Sequence, residues 1–286
     1  MFRRNNEDRM GSPAPQGETP PIEEQQEEKA APVLNFTTPT EFVDLPSKGL
    51  YYPEGHPLHK QDSIEIKYMT AKDEDILTSK SYLKKGIAID RLLQNVIVNN
   101  SIDVNSLLSG DKNAIIIATR STGYGSSYQT KITCPSCGAQ GEIDFDLDEE
   151  ASVTESEEIE GVVDNGDGTF VATTPRGKIP VKMKLLTGAA EKKLLKLTTN
   201  KKKNNQPEST LSDQLRMAIV SVGGQEDQMM INMFIRSIPA SDARHLRDIY
   251  SRKMPNVELK HDFECGSCGF EQELEVPLTS DFFWPK

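Results

Sequence analysis

The pattern of apolar and polar side chains along the first third of the chain predicts a strand followed by helices. Residues 63–69 alternate as a half-buried strand does. Thr70 is placed to cap a helix, because Asp73 lies three residues on, where a carboxylate completes a capping box. Residues 87–98 predict a second helix, since their apolar side chains recur at the spacing of one buried face, and residues 114–120 predict a third.

A similar order follows in the second part of the chain. Residues 159–163 and 170–173 flank Asn165-Gly166-Asp167-Gly168, which predicts a β-hairpin. A strand is then expected at 181–187, followed by helices at 189–197, 211–222 and 239–250, with an apolar segment at 229–238. The repeated order of strand and helices raises the hypothesis of an internal duplication, although many α+β chains would share that order by chance.

Four cysteines, all that the chain contains, form two C-x2-C-Gly knuckles. Cys134 and Cys137 make the first, Cys265 and Cys268 the second, and strand-like segments flank both. A tight turn at the tip of a hairpin aims two thiolates at one point, and the glycine supplies the positive φ that such a turn needs. Two tips facing each other predict a tetrahedral four-thiolate site, which is the geometry of structural zinc.

The interval between the knuckles is much longer than the ~15–20 residues of an ordinary zinc ribbon, so the ribbon would be split by an inserted domain. Two disulfides, a redox-active pair and four unrelated thiols are the alternative interpretations. A redox C-x2-C usually opens a helix, which lowers the thiol pKa, whereas here glycine and strand-like residues follow. Four thiolates leave no open coordination position, so the predicted zinc is structural and not catalytic.

These elements define an α+β fold of two strand-plus-helices halves joined by the split zinc ribbon. Residues 1–35 are rich in Glu, Gln, Pro and Ala, and cannot bury enough apolar surface to offset the ordering of their backbone. We therefore expect a disordered tail at 1–35, a first half with the first knuckle at 36–150, and a second half with the second knuckle at 151–286.

Composition narrows the classes of function. The chain of 286 residues has 44 acidic and 33 basic side chains, and its net charge of −11 argues against non-specific binding to nucleic acid. No apolar run approaches the 18 residues of a membrane span, and the N-terminus does not have the pattern of a secretory signal. A reducing cytosol, which favours metal over disulfide, is therefore expected. No phosphate loop, nucleophile elbow or H-E-x-x-H motif is present, so we expect neither an enzyme nor a small-molecule substrate.

Two clusters of apolar side chains are candidates for partner binding. Leu50, Tyr51 and Tyr52 lie in a stretch of aromatics, prolines and glycine that is typical of an extended arm or an irregular loop. Aromatic residues so close together suggest packing against the core of the chain or against a partner, and we expect an exposed arm that docks neighbouring proteins. Phe282, Phe283 and Trp284 form an aromatic run near the last residue, and such a run either packs onto the core or is offered to a partner.

Several stretches resemble one known family. They are residues 45–53, 66–77, 90–93, 107–111 and 120–128, together with Cys134-Pro135-Ser136-Cys137. The chain resembles the baseplate hub (central spike complex) protein family of T4-like contractile-tailed bacteriophages, well over about residues 40–148 and loosely beyond. The resemblance implies a viral protein made in the bacterial cytoplasm that helps to build the hub through contacts with other tail proteins. It leaves open whether the protein stays in the virion.

A zinc-ribbon regulator that binds nucleic acid or the transcription machinery is the alternative function. Zinc ribbons often have this role. The acidic balance of the chain speaks against it, as does the small number of cations beside the knuckles, where only Lys131 and Lys260 lie close.

Overall fold

The computed structural model describes residues 37–204, 209–275 and 280–283. The tail predicted at residues 1–35 and the aromatic side chain of Trp284 lie outside these ranges. Residues 38–286 group into one unit. The division of that unit into halves at residue 150 stays a prediction.

Eight α-helices occur within the described ranges, in the mixed α+β order that the sequence predicts. They are α1 (Ala71–Thr78), α2 (Lys80–Lys85), α3 (Ala88–Val96), α4 (Ser109–Tyr124), α5 (Gly188–Lys203), α6 (Thr210–Ala218), α7 (Gln228–Ser237) and α8 (Ala240–Lys253). Short 3-10 helices lie at Val104–Ser106 and Ser280–Phe283.

The strands form four small antiparallel sheets. In chain order they are β1 (Thr40–Asp44), β2 (Ser63–Lys67), β3 (Ser127–Thr133), β4 (Gln140–Asp146), β5 (Ala151–Thr154), β6 (Val162–Asp164), β7 (Thr169–Thr173), β8 (Pro180–Lys184), β9 (Ile219–Val222), β10 (Asn256–Glu264) and β11 (Glu271–Glu275). The sheets are β1-β2, β3-β4, β6-β7-β8-β9 and β11-β10-β5. The hairpin predicted around Asn165-Gly166-Asp167-Gly168 is confirmed as β6-β7.

The start of α1 shows how local chemistry sets an element boundary. The Asp73 carboxylate accepts hydrogen bonds from the Thr70 backbone N–H at 2.9 Å and from the Thr70 hydroxyl at 2.7 Å, which confirms the predicted capping box. At the end of α2, Gly86 takes the left-handed conformation with φ of 64°, which glycine adopts without steric cost.

One predicted helix is too long. The sequence pattern extends it over 211–222, but α6 ends at Ala218 and the next four residues form β9, which pairs with β8. Three of those four residues are β-branched, and their hydrogen bonds to a neighbouring strand replace the helical ones. Tertiary pairing therefore overrides the apolar periodicity here.

The main hydrophobic core draws on both parts of the chain. Leu93 and Ile115 are buried with Phe170, Met183 and Leu246 in one cluster. The two parts also meet through the backbone, where the Gly188 N–H donates to the Leu107 carbonyl oxygen at 2.9 Å. A second, much smaller cluster surrounds the cysteines.

Candidate metal centre

The first knuckle is the turn that joins β3 to β4. These strands pair from Ser127 with Asp146 to Thr133 with Gln140, and the chain then reverses through Cys134–Ala139. The Cys134 N–H donates to the Ala139 carbonyl oxygen at 2.8 Å, and the Gly138 N–H donates to the Cys134 carbonyl oxygen at 2.9 Å. Gly138 has φ of 74°, so the predicted use of glycine in the turn is confirmed.

The second knuckle repeats this geometry between β10 and β11. The Cys265 N–H donates to the Phe270 carbonyl oxygen at 2.9 Å, and the Gly269 N–H donates to the Cys265 carbonyl oxygen at 2.8 Å. Gly269 has φ of 68°. Two turns built in the same way therefore each present a pair of thiols.

The four sulfur atoms converge, as the spacing of the knuckles predicts. All lie within 4.8 Å of one another, with 3.8 Å between the Sγ atoms of Cys134 and Cys268 and 3.7 Å between those of Cys137 and Cys265. Sulfurs placed tetrahedrally ~2.3 Å from a zinc ion would be about 3.8 Å apart. The thiols are free in this structure, so the cluster has the size and the ligand chemistry of a four-thiolate metal site.

The electrostatics of the cluster favour a cation at its centre. Backbone N–H groups of Ser267 and Cys268 lower the pKa of the Cys265 thiol to about 6. The Ala139 N–H also favours the Cys137 thiolate, but the hydrogen bonds among the neighbouring sulfurs outweigh it and raise the pKa of Cys137 to about 12. One thiolate thus forms readily and another does not, because the neighbouring sulfurs share the remaining protons through their mutual hydrogen bonds.

Apolar packing between the two knuckles is limited. Their hairpins belong to different sheets, and the side chains buried between them are those of Ile132, Cys134, Phe263 and Cys265. Cys137 and Cys268 are exposed. So small an apolar cluster stabilises weakly, and small modules of this kind usually depend on a metal or a disulfide.

His261 lies on β10 near the knuckle but does not face the sulfur cluster. Its Nδ1 is 2.7 Å from the Glu150 carboxylate oxygen Oε2, and its ring packs against Phe145. The metal-ligating group in the described residues therefore consists of the four cysteines.

The arm expected around Leu50 is not an exposed arm, and this part of the prediction is corrected. Tyr52 is 1% exposed, and its hydroxyl donates to the Asp111 carboxylate at 2.8 Å and accepts from the Leu108 N–H at 3.0 Å. Tyr51 is also buried, with its hydroxyl bonded to Ser156. The Tyr52 ring folds inward because Asp111 of α4 and the Leu108 N–H offer polar partners for its hydroxyl, while Ser156, after β5, meets the Tyr51 hydroxyl. Of the three residues, only Leu50 stays exposed.

The aromatic residues near the last residue also pack inward where they are described. Phe282 and Phe283 are buried, and the Phe282 ring meets the Tyr128 ring edge-on with centroids 5.0 Å apart. Of the two interpretations offered for this run, packing onto the core is the one that the structure supports.

A buried arginine holds this segment in place, and the sequence analysis assigned it no role. Arg120 on α4 donates through Nε to the Phe282 carbonyl oxygen at 2.8 Å and through its other guanidinium nitrogens to the carbonyl oxygens of Gly125 and Ser127. Burial lowers the pKa of Arg120. An arginine directly after the apolar run at 114–118 was the available signal in the sequence.

Fold and site together define a class: an α+β protein with a split four-cysteine cluster that could hold a metal ion. A family model described as T4 bacteriophage base plate protein matches residues 40–284. The chain belongs to this family of T4-like phage baseplate proteins, which confirms the resemblance at the level of the baseplate. No curated protein and no solved structure matches the chain significantly.

None of the helices in the described ranges combines the length and the apolar character needed to cross a bilayer.

Proposed function

We propose that this chain is a non-catalytic structural protein of the phage baseplate hub, and that its four cysteines hold one structural zinc ion. Membership of the baseplate family supports a role in the tail. The proposal adds three points: the hub as the place, contacts with other tail proteins as the mode of action, and zinc as the metal. Assembly in the host cytoplasm and incorporation into the virion tail complete it.

The convergence of the four sulfurs carries the proposal. Cys134 and Cys137 lie more than a hundred residues before Cys265 and Cys268, yet the four Sγ atoms lie within 4.8 Å. A hydrophobic cluster does not require four thiols at mutual distances of this kind, whereas tetrahedral zinc does. Zinc bound by all four would be closed to substrate, so its contribution is mechanical: it would fix the β3-β4 hairpin against β10-β11.

The size of the effect follows from known zinc sites. Structural zinc contributes ~10–16 kcal/mol of apparent binding free energy in small fingers, and a whole domain has a net stability of ~5–15 kcal/mol. The main core lies outside the knuckles, so we expect metal loss to disorder the two hairpins first. Removal of one ligand should then lower the stability of the protein by several kcal/mol.

The zinc assignment is tested by elemental analysis of purified protein together with a thiol count. One zinc per chain is expected, with four thiols becoming reactive together on chelation. Cys134→Ser and Cys265→Ser should lose zinc and melt at lower temperature, whereas Ser136→Ala, in the same knuckle but exposed and without a ligand atom, should keep both properties. Wild-type melting of either cysteine variant in the presence of a chelator would refute the structural role of the metal.

The role in the tail needs a separate experiment. Phage whose copy of this gene is deleted should produce tails arrested before a complete baseplate, and wild-type protein supplied in the host should restore them. Quantitative mass spectrometry of purified particles then measures whether the protein is retained. Normal infectious particles without the protein would overturn the proposed structural role, whatever the zinc content.

A further inference from the structure

A groove in the second part of the chain lies apart from the metal centre. It has a volume of about 810 Å³ and opens between α5, the α6–β9 segment and the start of α7. Its apolar lining includes Ala190, Leu197, Met217, Ile219 and Ile231. The groove is large enough to take several side chains of a docked segment.

The helix on one side of the groove is incompletely packed. α5 has 16 residues, yet the one residue of it that is buried is Gly188. Leu197, which lines the groove, is 38% exposed. On the other side, Met217 of α6 lines the groove and is only half-buried. A partly exposed leucine and methionine in the lining of a groove are typical of surfaces that receive an apolar helix face, because methionine adapts its shape to the bound side chains.

The charges around the groove are mainly positive, in contrast to the net charge of −11 for the chain. Lys184 and Lys193 line it, and Lys196 lies one turn of α5 beyond Lys193. None of these three forms an ion pair with another described residue. Arg216 is already held by Asp213 and by Asn232, and Glu226 is the acidic residue in the lining.

We propose that this groove is the docking site for an acidic, amphipathic segment of another protein of the baseplate, a proposal that rests on the structural role proposed above. The apolar face of such a segment would fill the groove, and its carboxylates would pair with Lys184, Lys193 and Lys196. This arrangement is the helix-in-groove mode of recognition. Opposite charges at the rim favour the encounter and select against basic partners.

Two other occupants fit the surface less well. In a symmetric dimer the same face is present on both copies, so the lysines of one α5 would face those of the other. Nucleic acid would be attracted to the lysines, but an apolar floor offers nothing to its phosphates, and the chain as a whole repels them.

The probe is a fluorescein-labelled peptide of 16 residues with leucines at helical i, i+3, i+4 and i+7 positions and glutamates on the opposite face. Its anisotropy is measured with the full-length, zinc-loaded protein. We expect saturable binding that weakens as salt is added. Lys193→Glu and Leu197→Asp should each lower the affinity at least tenfold. The same changes at exposed positions of α2, Lys84→Glu and Leu83→Asp, should leave it within twofold.

The controls separate this proposal from the proposed function. The melting temperature and zinc content of each variant are measured in parallel, so a failure of the metal site is seen independently of peptide binding. Equal binding of a lysine-for-glutamate peptide, equal losses in the α2 variants, or no binding at all would overturn the proposal. It would also be overturned if an oligonucleotide bound the same lysines more tightly, or if the α5 variants abolished a dimer of the chain.

Discussion

Replacement of Asp111 tests how a buried polar network stabilises the fold. Asp111, on the first turn of α4, is fully buried. Its carboxylate accepts three hydrogen bonds: from the Ser47 N–H at 2.9 Å, from the Ser47 hydroxyl at 2.6 Å and from the Tyr52 hydroxyl at 2.8 Å. It thereby connects α4 to the loop between β1 and β2.

The expected magnitudes follow from these three donors. A buried donor without an acceptor costs about 1–3 kcal/mol. Asp111→Ala leaves all three without their acceptor, but the two hydroxyls can rotate towards other acceptors, so we expect a loss of about 3–5 kcal/mol. Asp111→Asn keeps one oxygen for the Ser47 N–H and should cost about 1–2 kcal/mol.

The pH dependence has a definite sign. Burial raises the pKa of Asp111 above its ordinary value of 3.8, although the bonds from Ser47 and Tyr52 oppose the shift. The folded state therefore binds this proton more readily than the unfolded state does. The stability that Asp111 gains from protonation is fully present below pH 3.8 and is lost as the pH rises through the raised pKa. The advantage of wild type over Asp111→Asn should thus be smaller at pH 7 than at pH 4.

Urea unfolding followed by circular dichroism measures these differences. The protonation of the cysteines is common to wild type and variant, so it cancels when the two are compared at one pH. The reasoning would be refuted if Asp111→Ala lost less than about 0.5 kcal/mol, which is the range of ordinary surface changes. An advantage of wild type over Asp111→Asn that grows with pH would refute the assigned sign.

Two further pairs of variants can be compared by the same unfolding assay. Gly110→Ala should lower the free energy of unfolding by at least about 2 kcal/mol, because the new Cβ would lie 2.0 Å from the Pro255 carbonyl oxygen. Gly123→Ala should change it by less than about 1 kcal/mol, since its new Cβ meets a flexible methionine side chain. Lys253 is 2% exposed and pairs with Asp164 at 2.8 Å. Lys253→Met should be nearly neutral for stability, whereas Asp164→Asn leaves a buried ammonium unpaired and should cost about 2 kcal/mol. In either pair, a larger loss of stability in the variant expected to be milder would contradict the expectation.

Local signals in the sequence predict the elements that depend on neighbouring residues. The capping box of Thr70 and Asp73 and the knuckle turns at Gly138 and Gly269 are decided within a few residues, so sequence alone is enough to locate them. The convergence of the knuckles is also predictable, because four-thiolate coordination imposes a constraint over a long distance.

Features that depend on tertiary packing were not predictable in the same way. Ile219 continues the helical pattern of α6, and only its pairing with Met183 shows that it begins a strand. The residues around Tyr52 have the composition of an exposed loop, but Tyr52 is buried because it bonds to Asp111, 59 residues away. The groove beside α5 likewise depends on three elements that meet only in the fold.

Two correspondences between the parts of the chain bear on the hypothesis of an internal duplication. Asp111 and Asp242 are each the third residue of their helix, and both are buried. Asp111 accepts from the backbone N–H of Ser47, in the loop between β1 and β2, while Asp242 accepts from those of Arg176 and Gly177, in the loop between β7 and β8. Each aspartate therefore connects a helix to the turn of an antiparallel hairpin that precedes it in the chain.

A second correspondence lies at α3 and α6, which have nine residues each. Each is followed by an isoleucine, Ile97 or Ile219, whose N–H donates to the carbonyl oxygen of a leucine four residues before it. Both isoleucines then pair antiparallel with the second strand of the preceding hairpin, at Ile66 and at Met183. Common element order could arise by chance, but matched capping and pairing at equivalent places are harder to obtain independently. They favour the hypothesis of a duplicated unit in which each copy ends in one two-cysteine knuckle.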